Sequence, residues 1–262
     1  MKRCLMINLL IPAITVVGLL CCPHIGLTKD SLLVYSGAGM RKPMDKMAVA
    51  FEKKYGTPVT YNYAGSTTLL SQIALTKKGD CYMPGATLYI EKAKEKGFID
   101  YQKPVAYHIP VIAVPKGNPG KIKGLTDLAK PGIKVILGDP TVAACGKIAK
   151  KILEKNKIYN EVKKNIIAQT ATANELVVYV CMGQADAIIN WKASMLGTED
   201  KVDIIEIPKK QNCIKVIPIG RLTFSQNKKI AKEFVELVTS SQGKTIFENC
   251  GFTAYPNPKY EK

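Results

Sequence analysis

The sequence predicts an α/β protein of two lobes, each a mixed, mostly parallel sheet with helices on its faces. Two observations carry this prediction. Strand-like apolar segments alternate with helical segments, a pattern typical of parallel strands joined by crossover helices. The pattern also stops and restarts at two long extended stretches, near 106–115 and 214–224. We therefore expect the chain to enter a second lobe at the first stretch, to return at the second, and to leave a cleft between the lobes.

The first lobe is expected to begin with three repeats of strand and helix. The segment SLLVY (31–35) has the composition of a strand. Apolar residues recur at helical spacing after it, which predicts a helix from about 41 to 54 that Gly56 and Pro58 would end. The alternating segment VTYNY (59–63) predicts the second strand. A third strand is expected at CYMPG, and further helices at STTLLSQI and TLYIEKAKEKG.

The second series repeats this order after the first crossing. It predicts a short helix at GLTDLAKPG, a strand at KVILGDP, and a loop leading into a helix at TVAACGKIAKKILEKN. A strand, a polar loop and a helix follow in NIIAQTATANELVVYVCMGQ, then strands at ADAIINW and VDIIEIP. After the second crossing, two short helices end the chain. This order assigns 29–110 and 218–262 to the first lobe and 111–217 to the second.

The N-terminal segment has the composition of a secretory signal. MKRCLMINLLIPAITVVGLLCC carries Lys2 and Arg3 ahead of an apolar run without an acidic residue. We predict that residues 1–28 are a signal peptide and that the protein is periplasmic, or extracellular and membrane-associated. A membrane anchor is the alternative, since the run is long. Cys21 and Cys22 leave lipid attachment open, and the cleavage site is not defined.

Composition describes a folded protein with a basic surface. The 262 residues are 47% hydrophobic and 23% charged, with a net charge of +17. Without residues 1–28, 36 basic and 21 acidic residues remain, a net charge of about +15. The lysines are scattered along predicted helices instead of forming one run. We therefore expect no nucleic-acid partner, and a surface that attracts small anions.

The cysteines do not indicate a metal site. Beyond residue 28 their number is odd, no CxxC pair occurs, and the spacings match no metal-binding pattern. Export permits disulfides, but the sequence leaves their pairing open. The five cysteines are Cys81, Cys145, Cys181, Cys213 and Cys250. We expect no metal cation and no cofactor.

Four loops between predicted strands and helices share one composition. They are SGAG, GSTT, TVAACG and TATANE, two in each lobe. In parallel α/β sheets such loops gather at one edge and lead into helix N-termini, where unpaired N–H groups favour an anion. Glycine lets an anion approach the backbone, and Ser or Thr adds hydroxyl donors. Plain helix capping explains any one loop; four together predict an anion-binding cleft.

Several segments give the chain a resemblance to a known family. They are LLVYSGAGMRKPMDKMAVAFEKKYG, GSTTLLSQI, GDP followed by CGKIAKKIL, and GQADAIINW. Over about residues 31–255 the chain resembles the periplasmic molybdate-binding proteins of bacterial ABC importers. The resemblance implies the type II periplasmic-binding-protein fold with two hinge crossings. It further implies a non-enzymatic monomer that closes on molybdate or tungstate and delivers it to an ABC importer permease.

The resemblance also implies binding residues in the first lobe. The family serine of the first loop falls at Gly39, so that Ser36, three residues earlier, or backbone N–H groups would take over its role. The serine of the second loop corresponds to Ser66, which Thr67 follows.

In the second lobe, the family's backbone donors correspond to Cys145 and Ala173, and its closing tyrosine to Trp191. The full candidate site is Ser36, Gly39, Ser66, Thr67, Cys145, Ala173, Asn174 and Trp191. Gly39 and Trp191 depart from the family pattern, which leaves the choice of oxyanion open. The set offers mainly donors and no carboxylate, so molybdate or tungstate is expected over phosphate, whose proton needs an acceptor. Sulfate would be rejected by size.

Two other function classes stay open. A binding protein or adhesin of the same fold could recognise an organic acid, and Arg41, Lys42 or Lys192 would then hold the carboxylate. A hydrolase would need a nucleophile and a base, for which Cys145 and His108 are the candidates. Asp139 is interpreted as a turn or capping residue, and a core position is the alternative for Trp191.

Overall fold

The structure, a computed structural model, describes residues 31–260, so the predicted signal peptide at 1–28 lies outside the described residues. The strands are β1 (Leu32–Gly37), β2 (Val59–Ala64), β3 (Cys81–Met83), β4 (Ile99–His108), β5 (Pro110–Pro115), β6 (Val135–Gly138), β7 (Ile166–Thr170), β8 (Ala187–Trp191), β9 (Val202–Glu206), β10 (Lys215–Leu222) and β11 (Thr253–Ala254). The helices are α1 (Arg41–Tyr55), α2 (Ser66–Thr76), α3 (Thr87–Glu95), α4 (Ala144–Lys155), α5 (Tyr159–Lys163), α6 (Ala173–Cys181), α7 (Lys228–Thr239) and α8 (Ser241–Glu248). Short 3-10 helices lie at Ala38–Met40, Leu125–Ala129 and Lys192–Met195.

The strands form two sheets, which confirms the two-lobed α/β prediction. The first has the order β11-β4-β10-β3-β1-β2 and the second β7-β6-β8-β5-β9. The chain changes sheet at Ile109, between β4 and β5. It returns between Glu206, where β9 ends, and Lys215, where β10 begins. The predicted return at residue 218 falls inside β10, whose paired residues all belong to the first sheet.

Both sheets are mixed, but parallel pairing does not predominate, and that part of the expectation is corrected. β1 is parallel to β2 and β3, and β6 is parallel to β7 and β8. The crossing strands pair antiparallel: β10 with β3 and β4, and β5 with β8 and β9. The reason is that β4 carries the chain out of the first lobe and β10 carries it back, so these neighbours run in opposite directions.

Helix α1 shows how the apolar pattern positions a loop. Met44, Met47 and Phe51 recur at helical spacing and are fully buried. They pack in one core with side chains of β1 and α7, and burial of each contributes about 1.5–3 kcal/mol. The helix ends at Gly56, whose φ of 64° suits a residue without Cβ. This packing fixes the start of α1 and therefore the loop that precedes it.

The structure contains elements that the sequence pattern did not predict. These are the short helix α5, the two-residue strand β11 and the start of β4 at Ile99. Beyond β11 the chain reaches the second lobe, where Lys259 Nζ lies 2.5 Å from a carboxylate oxygen of Glu206. In the described part of the chain, no helix is both long and apolar enough to span a bilayer.

Candidate functional site

The predicted loops lie where the topology leads strands into helices. In the first sheet β1, β2 and β3 lead into α1, α2 and α3, and in the second β6 and β7 lead into the segments that open α4 and α6. The carboxyl ends of parallel strands share one edge of a sheet, which is the usual place for a ligand in this architecture.

Ser36 and Gly39 flank the turn at the end of β1. Ser36 is fully buried, and among the described residues its Oγ has no hydrogen-bond partner. A buried hydroxyl left unpaired costs about 1–3 kcal/mol, so a polar ligand atom at this strand end would be favoured there. Gly39 is exposed, and a Cβ at this position would lie 4.0 Å from Cε1 of His108.

Ser66 opens α2 and is tied to the neighbouring loop. No side chain caps this helix, whose N-cap is Gly65, so its first N–H groups stay open to a ligand. Ser66 Oγ accepts a hydrogen bond from the N–H of Gly85 at 3.0 Å, and its carbonyl accepts one from the hydroxyl of Tyr82 at 2.8 Å. Since Gly85 occupies an acceptor position, the hydroxyl proton of Ser66 remains to be donated. Thr67, the next residue, is exposed.

His108 belongs to this group of residues, although the sequence suggested it only as a catalytic base. It ends β4 beside the first crossing, and its ring is 8% exposed. Burial lowers the pKa of His108 from its usual value to about 4, and a backbone hydrogen bond with Gly85 partly opposes this shift. The imidazole is therefore neutral at physiological pH.

Trp191 reaches His108 from the second lobe. It ends β8, is 8% exposed, and stacks on the imidazole with ring centroids 3.7 Å apart and planes 21° apart. This indole is thereby held against the first-lobe loops. Its neighbour Asn190 is fully buried: it donates to the carbonyl of Ala173 at 2.9 Å and accepts from the N–H of Trp191 at 2.9 Å. Asn190 thus couples the end of β8 to the start of α6.

At the start of α6, backbone N–H groups are hydrogen-bonded by side chains of the same segment, Thr172 and Glu175. Thr172 Oγ1 accepts from the N–H of Glu175 at 3.3 Å and donates to the Glu175 carboxylate at 2.9 Å. That carboxylate also accepts from the N–H of Ala171 at 3.1 Å. For this loop, plain capping describes the contacts, and Asn174 stands exposed beside a negative charge.

Cys145 lies in the first turn of α4 with its thiol in the core. It is 2% exposed, and burial raises the pKa of the thiol above its usual value. A nucleophilic cysteine requires the opposite shift, so the structure gives no support to a Cys145–His108 catalytic pair. Asp139 Oδ1 accepts from the N–H and the hydroxyl of Thr141, at 2.7 and 2.6 Å. Its interpretation as a turn residue is confirmed.

The structure thus groups the first-lobe loops, His108 and Trp191 in one region. Ser66, Gly85 and His108 are in mutual proximity, since a Cβ on Gly85 would lie 3.7 Å from Ser66 Oγ and 3.9 Å from His108 Nδ1. Cys145, Ala173 and Asn174 lie at the starts of α4 and α6. A separate cavity of about 230 Å³ beside the crossings is lined by Ile109, Glu206, Asn212 and Tyr260, among others, but by none of the predicted site residues. Within residues 31–260, no cluster of three or more His, Cys, Asp or Glu side chains is arranged to hold a metal ion.

Comparison with known proteins gives a family match. The model of the family described as "Bacterial extracellular solute-binding protein" matches residues 32–253. A putative binding protein of Haemophilus influenzae is 29% identical over 221 residues, covering 84% of this chain and 90% of that protein. The molybdate-binding protein ModA of Mycobacterium tuberculosis is 26% identical over 226 residues, covering 85% of this chain and 84% of that protein.

Solved structures share the fold. The substrate-binding domain of a putative molybdenum ABC transporter from Clostridium difficile superposes with a TM-score of 0.74 at 21% identity, covering 85% of this chain and 98% of that one. The sulfate-binding protein SubI from Mycobacterium tuberculosis gives 0.71 at 18% identity and covers 88% of both chains. The periplasmic binding protein AfuA from Actinobacillus pleuropneumoniae, solved with fructose-6-phosphate, gives 0.70 at 17% identity and covers 86% and 84%. Proteins of this fold therefore bind different anions.

Proposed function

We propose that this chain, which belongs to the bacterial extracellular solute-binding proteins, is a molybdate-binding protein of an ABC importer and captures a tetrahedral oxyanion, molybdate or tungstate, between its lobes. The anion would then pass to the permease of an ABC importer. Proteins of this family take part in transport, and no catalytic step is proposed. Export by residues 1–28 and a monomeric state remain part of the proposal.

The observation that carries the proposal is the hydroxyl of Ser66. It lies at a helix start that no side chain caps, and its acceptor side is occupied by Gly85. The hydroxyl proton of Ser66 is therefore available to a ligand in the cleft, and the helix dipole favours an anion at the start of α2. Ser36, with an unpaired buried hydroxyl, adds a second donor at the end of the adjacent strand β1.

The organic-acid alternative requires a free cation, and two of its three candidates, Arg41 and Lys192, have partners, while Lys42 is exposed. Lys192 Nζ lies 3.4 Å from a carboxylate oxygen of Glu206. The Arg41 guanidinium stacks over the ring of Tyr63 at 4.0 Å, and Tyr63 in turn donates to Asp45 at 2.7 Å. These contacts make Arg41 and Lys192 less available to a carboxylate.

A competition titration tests the choice of ligand. Trp191 is the only tryptophan of the chain, and its fluorescence would report molybdate entering beside it. Tungstate should displace molybdate at equal concentration, while sulfate and phosphate should not. Displacement by phosphate or sulfate would refute the specificity. A response to citrate and to none of the four oxyanions would establish the organic-acid alternative, and small-angle scattering on the same samples should show compaction if the lobes close.

A further inference from the structure

His108 lies where both lobes converge on the proposed ligand. Three neighbours define its place: the turn after β1 at Gly39, the loop after β3 at Gly85, and Trp191 at the end of β8. The ring of Phe252 packs on it from a fourth side, at 6.1 Å between centroids. A ring that bears two nitrogens is therefore enclosed between the open helix starts of the first lobe and the indole of the second.

The two nitrogens of the ring have different surroundings, and Nδ1 is the one placed beside Gly85. The N–H of Gly85 is already donated to Ser66 Oγ, so the carbonyl is the backbone group of Gly85 that remains for the ring, and a carbonyl can only accept from it. Nδ1 is the nitrogen near Gly85, at 3.9 Å from the position of its Cβ. The proton of the neutral ring is thus assigned to Nδ1, and Nε2 carries the lone pair.

The glycines and rings placed around the imidazole carry no charge, and the charged residue Lys215 lies opposite His108 in the pairing of β10 with β4. Gly39, Gly85, Trp191 and Phe252 do not titrate in the physiological range. Arg41 comes two residues after Gly39 and stacks over the ring of Tyr63. Lys192 comes directly after Trp191 and pairs with Glu206. No charged side chain contributes to the shift of the His108 pKa, which burial dominates.

We propose that His108 is a ligand-binding residue and that the oxyanion binds together with one proton, which His108 takes up on Nε2. This inference rests on the proposed function. The protonated ring would give the site the cation that its other donors lack, and it would donate to the anion. The indole face of Trp191 stabilises a cation stacked on it. Without ligand, burial keeps the ring neutral, so the charge appears only when the anion arrives.

Proton uptake distinguishes molybdate from phosphate. Molybdate is fully deprotonated near neutral pH, so the proton on His108 must come from the solvent. Phosphate brings protons of its own, and a neutral His108 would accept one of them on Nε2 without uptake. His108 would thus supply the acceptor that the predicted residue set lacks, and phosphate would be disfavoured only where the ring is protonated. The preference for molybdate over phosphate should therefore weaken as the pH rises, because protonation of His108 becomes harder.

Calorimetry of the full-length protein in buffers of different ionisation enthalpy tests the inference. At pH 6.0, we expect sodium molybdate to bind with the uptake of close to one proton, and sodium phosphate with less. Between pH 7.5 and 5.5 the affinity for molybdate should rise by up to about tenfold per pH unit, as linkage requires when one proton is bound with the ligand. The absence of proton uptake by the wild type across this range would overturn the proposal.

Two variants separate the charge of His108 from its packing. His108→Phe keeps a ring against Trp191, and His108→Asn keeps a donor toward Gly85, but neither takes up a proton. Both should bind molybdate at least about tenfold more weakly at pH 6.0 with no pH dependence, and the Phe variant should keep the Trp191 emission of the free wild type. Wild-type affinity in both variants would overturn the role of His108 and leave the proposed function intact. If the wild type binds none of the four oxyanions, both proposals fail.

Discussion

The start of α2 and the start of α6 have similar sequences but different chemistry. AGSTT and TATANE both place small and hydroxylic residues before a helix. At α2 the serine hydroxyl contacts Gly85 of another loop and no side chain caps the helix. At α6 Thr172 caps the helix, and Glu175 returns its carboxylate to the loop. The glutamate three residues after the threonine makes the difference, because it completes a capping box.

This difference assigns unequal roles to the lobes. The first lobe presents helix and strand ends with open donors at Ser36 and Ser66. The second lobe presents the indole of Trp191, the start of α4, which no side chain caps, and a negative charge at the start of α6. We infer that the first lobe supplies most of the direct contacts to an anion and that the second closes over it.

The largest expected effect concerns the stability of the ligand-free protein. The pKa of His108 is about 4 in the folded state, below the usual value of 6.5. The unfolded chain therefore binds more protons between these values, and folding stability should fall as the pH drops from about 6.5 to 4, by up to about 3 kcal/mol. Urea denaturation at several pH values measures this loss. In His108→Phe the loss from this residue should disappear; an unchanged pH profile would show that His108 is not buried in the neutral form.

The second prediction concerns the contribution of Ser66, at the start of α2, to molybdate binding. A lost hydrogen bond to a charged group costs about 1.5–3 kcal/mol, so Ser66→Ala should weaken molybdate binding roughly tenfold to a hundredfold. Isothermal titration calorimetry measures this change. Thr172→Ala is the matched control at α6, because it removes a hydroxyl from the corresponding helix start. Equal losses in the two variants would break the contrast between the lobes.

The third prediction concerns the contribution of the Thr172 N-cap of α6 to the stability of the protein. Thr172→Ala removes an N-cap hydrogen bond, which typically costs about 1 kcal/mol. We expect this loss in the free energy of unfolding, with little change in anion affinity. Ser66→Ala should instead weaken anion binding with little change in the free energy of unfolding. Thermal melts of both variants with and without molybdate separate the two quantities.

The smallest effect concerns the charge on Glu175. Glu175→Gln keeps an acceptor at the start of α6 but removes a negative charge from the neighbourhood of the proposed cleft. Charges near helix ends contribute modestly at low salt, so molybdate affinity should rise roughly two- to fivefold. The gain should vanish in high salt because screening removes it. A gain that persists at high salt would point to a change in local structure instead.

Much of the fold was predictable because it depends on local pattern. The spacing of Met44, Met47 and Phe51 specified a buried helix face, and the structure confirms it. The proportion of parallel pairing was not predictable in this way. Whether a crossing strand runs parallel or antiparallel to its neighbour depends on residues far along the chain, as the pairing of β4 with β10 shows.

The candidate site was predictable to a smaller degree. The position of Trp191 beside the first lobe, and the turn role of Asp139, follow expectations from the sequence. The spacing of Thr172 and Glu175 is that of a capping box and could have predicted the capping of α6. It was missed because all four similar loops were interpreted as anion-binding. His108 was recognised only as a catalytic base, since a lone histidine in an extended stretch carries no periodic signal.

Local sequence pattern specifies the order of strands and helices, the two crossings and the small-residue loops, because each depends on neighbours within a few positions. Which loops remain open to a ligand depends on contacts between residues that are distant in sequence. Ser66 finds its partner in Gly85, 19 residues away, and His108 meets Trp191 from the other lobe. A donor becomes open or occupied, and an imidazole neutral or charged, according to the groups that pack against it. Those groups are brought together by burial of the two cores and are distant in sequence.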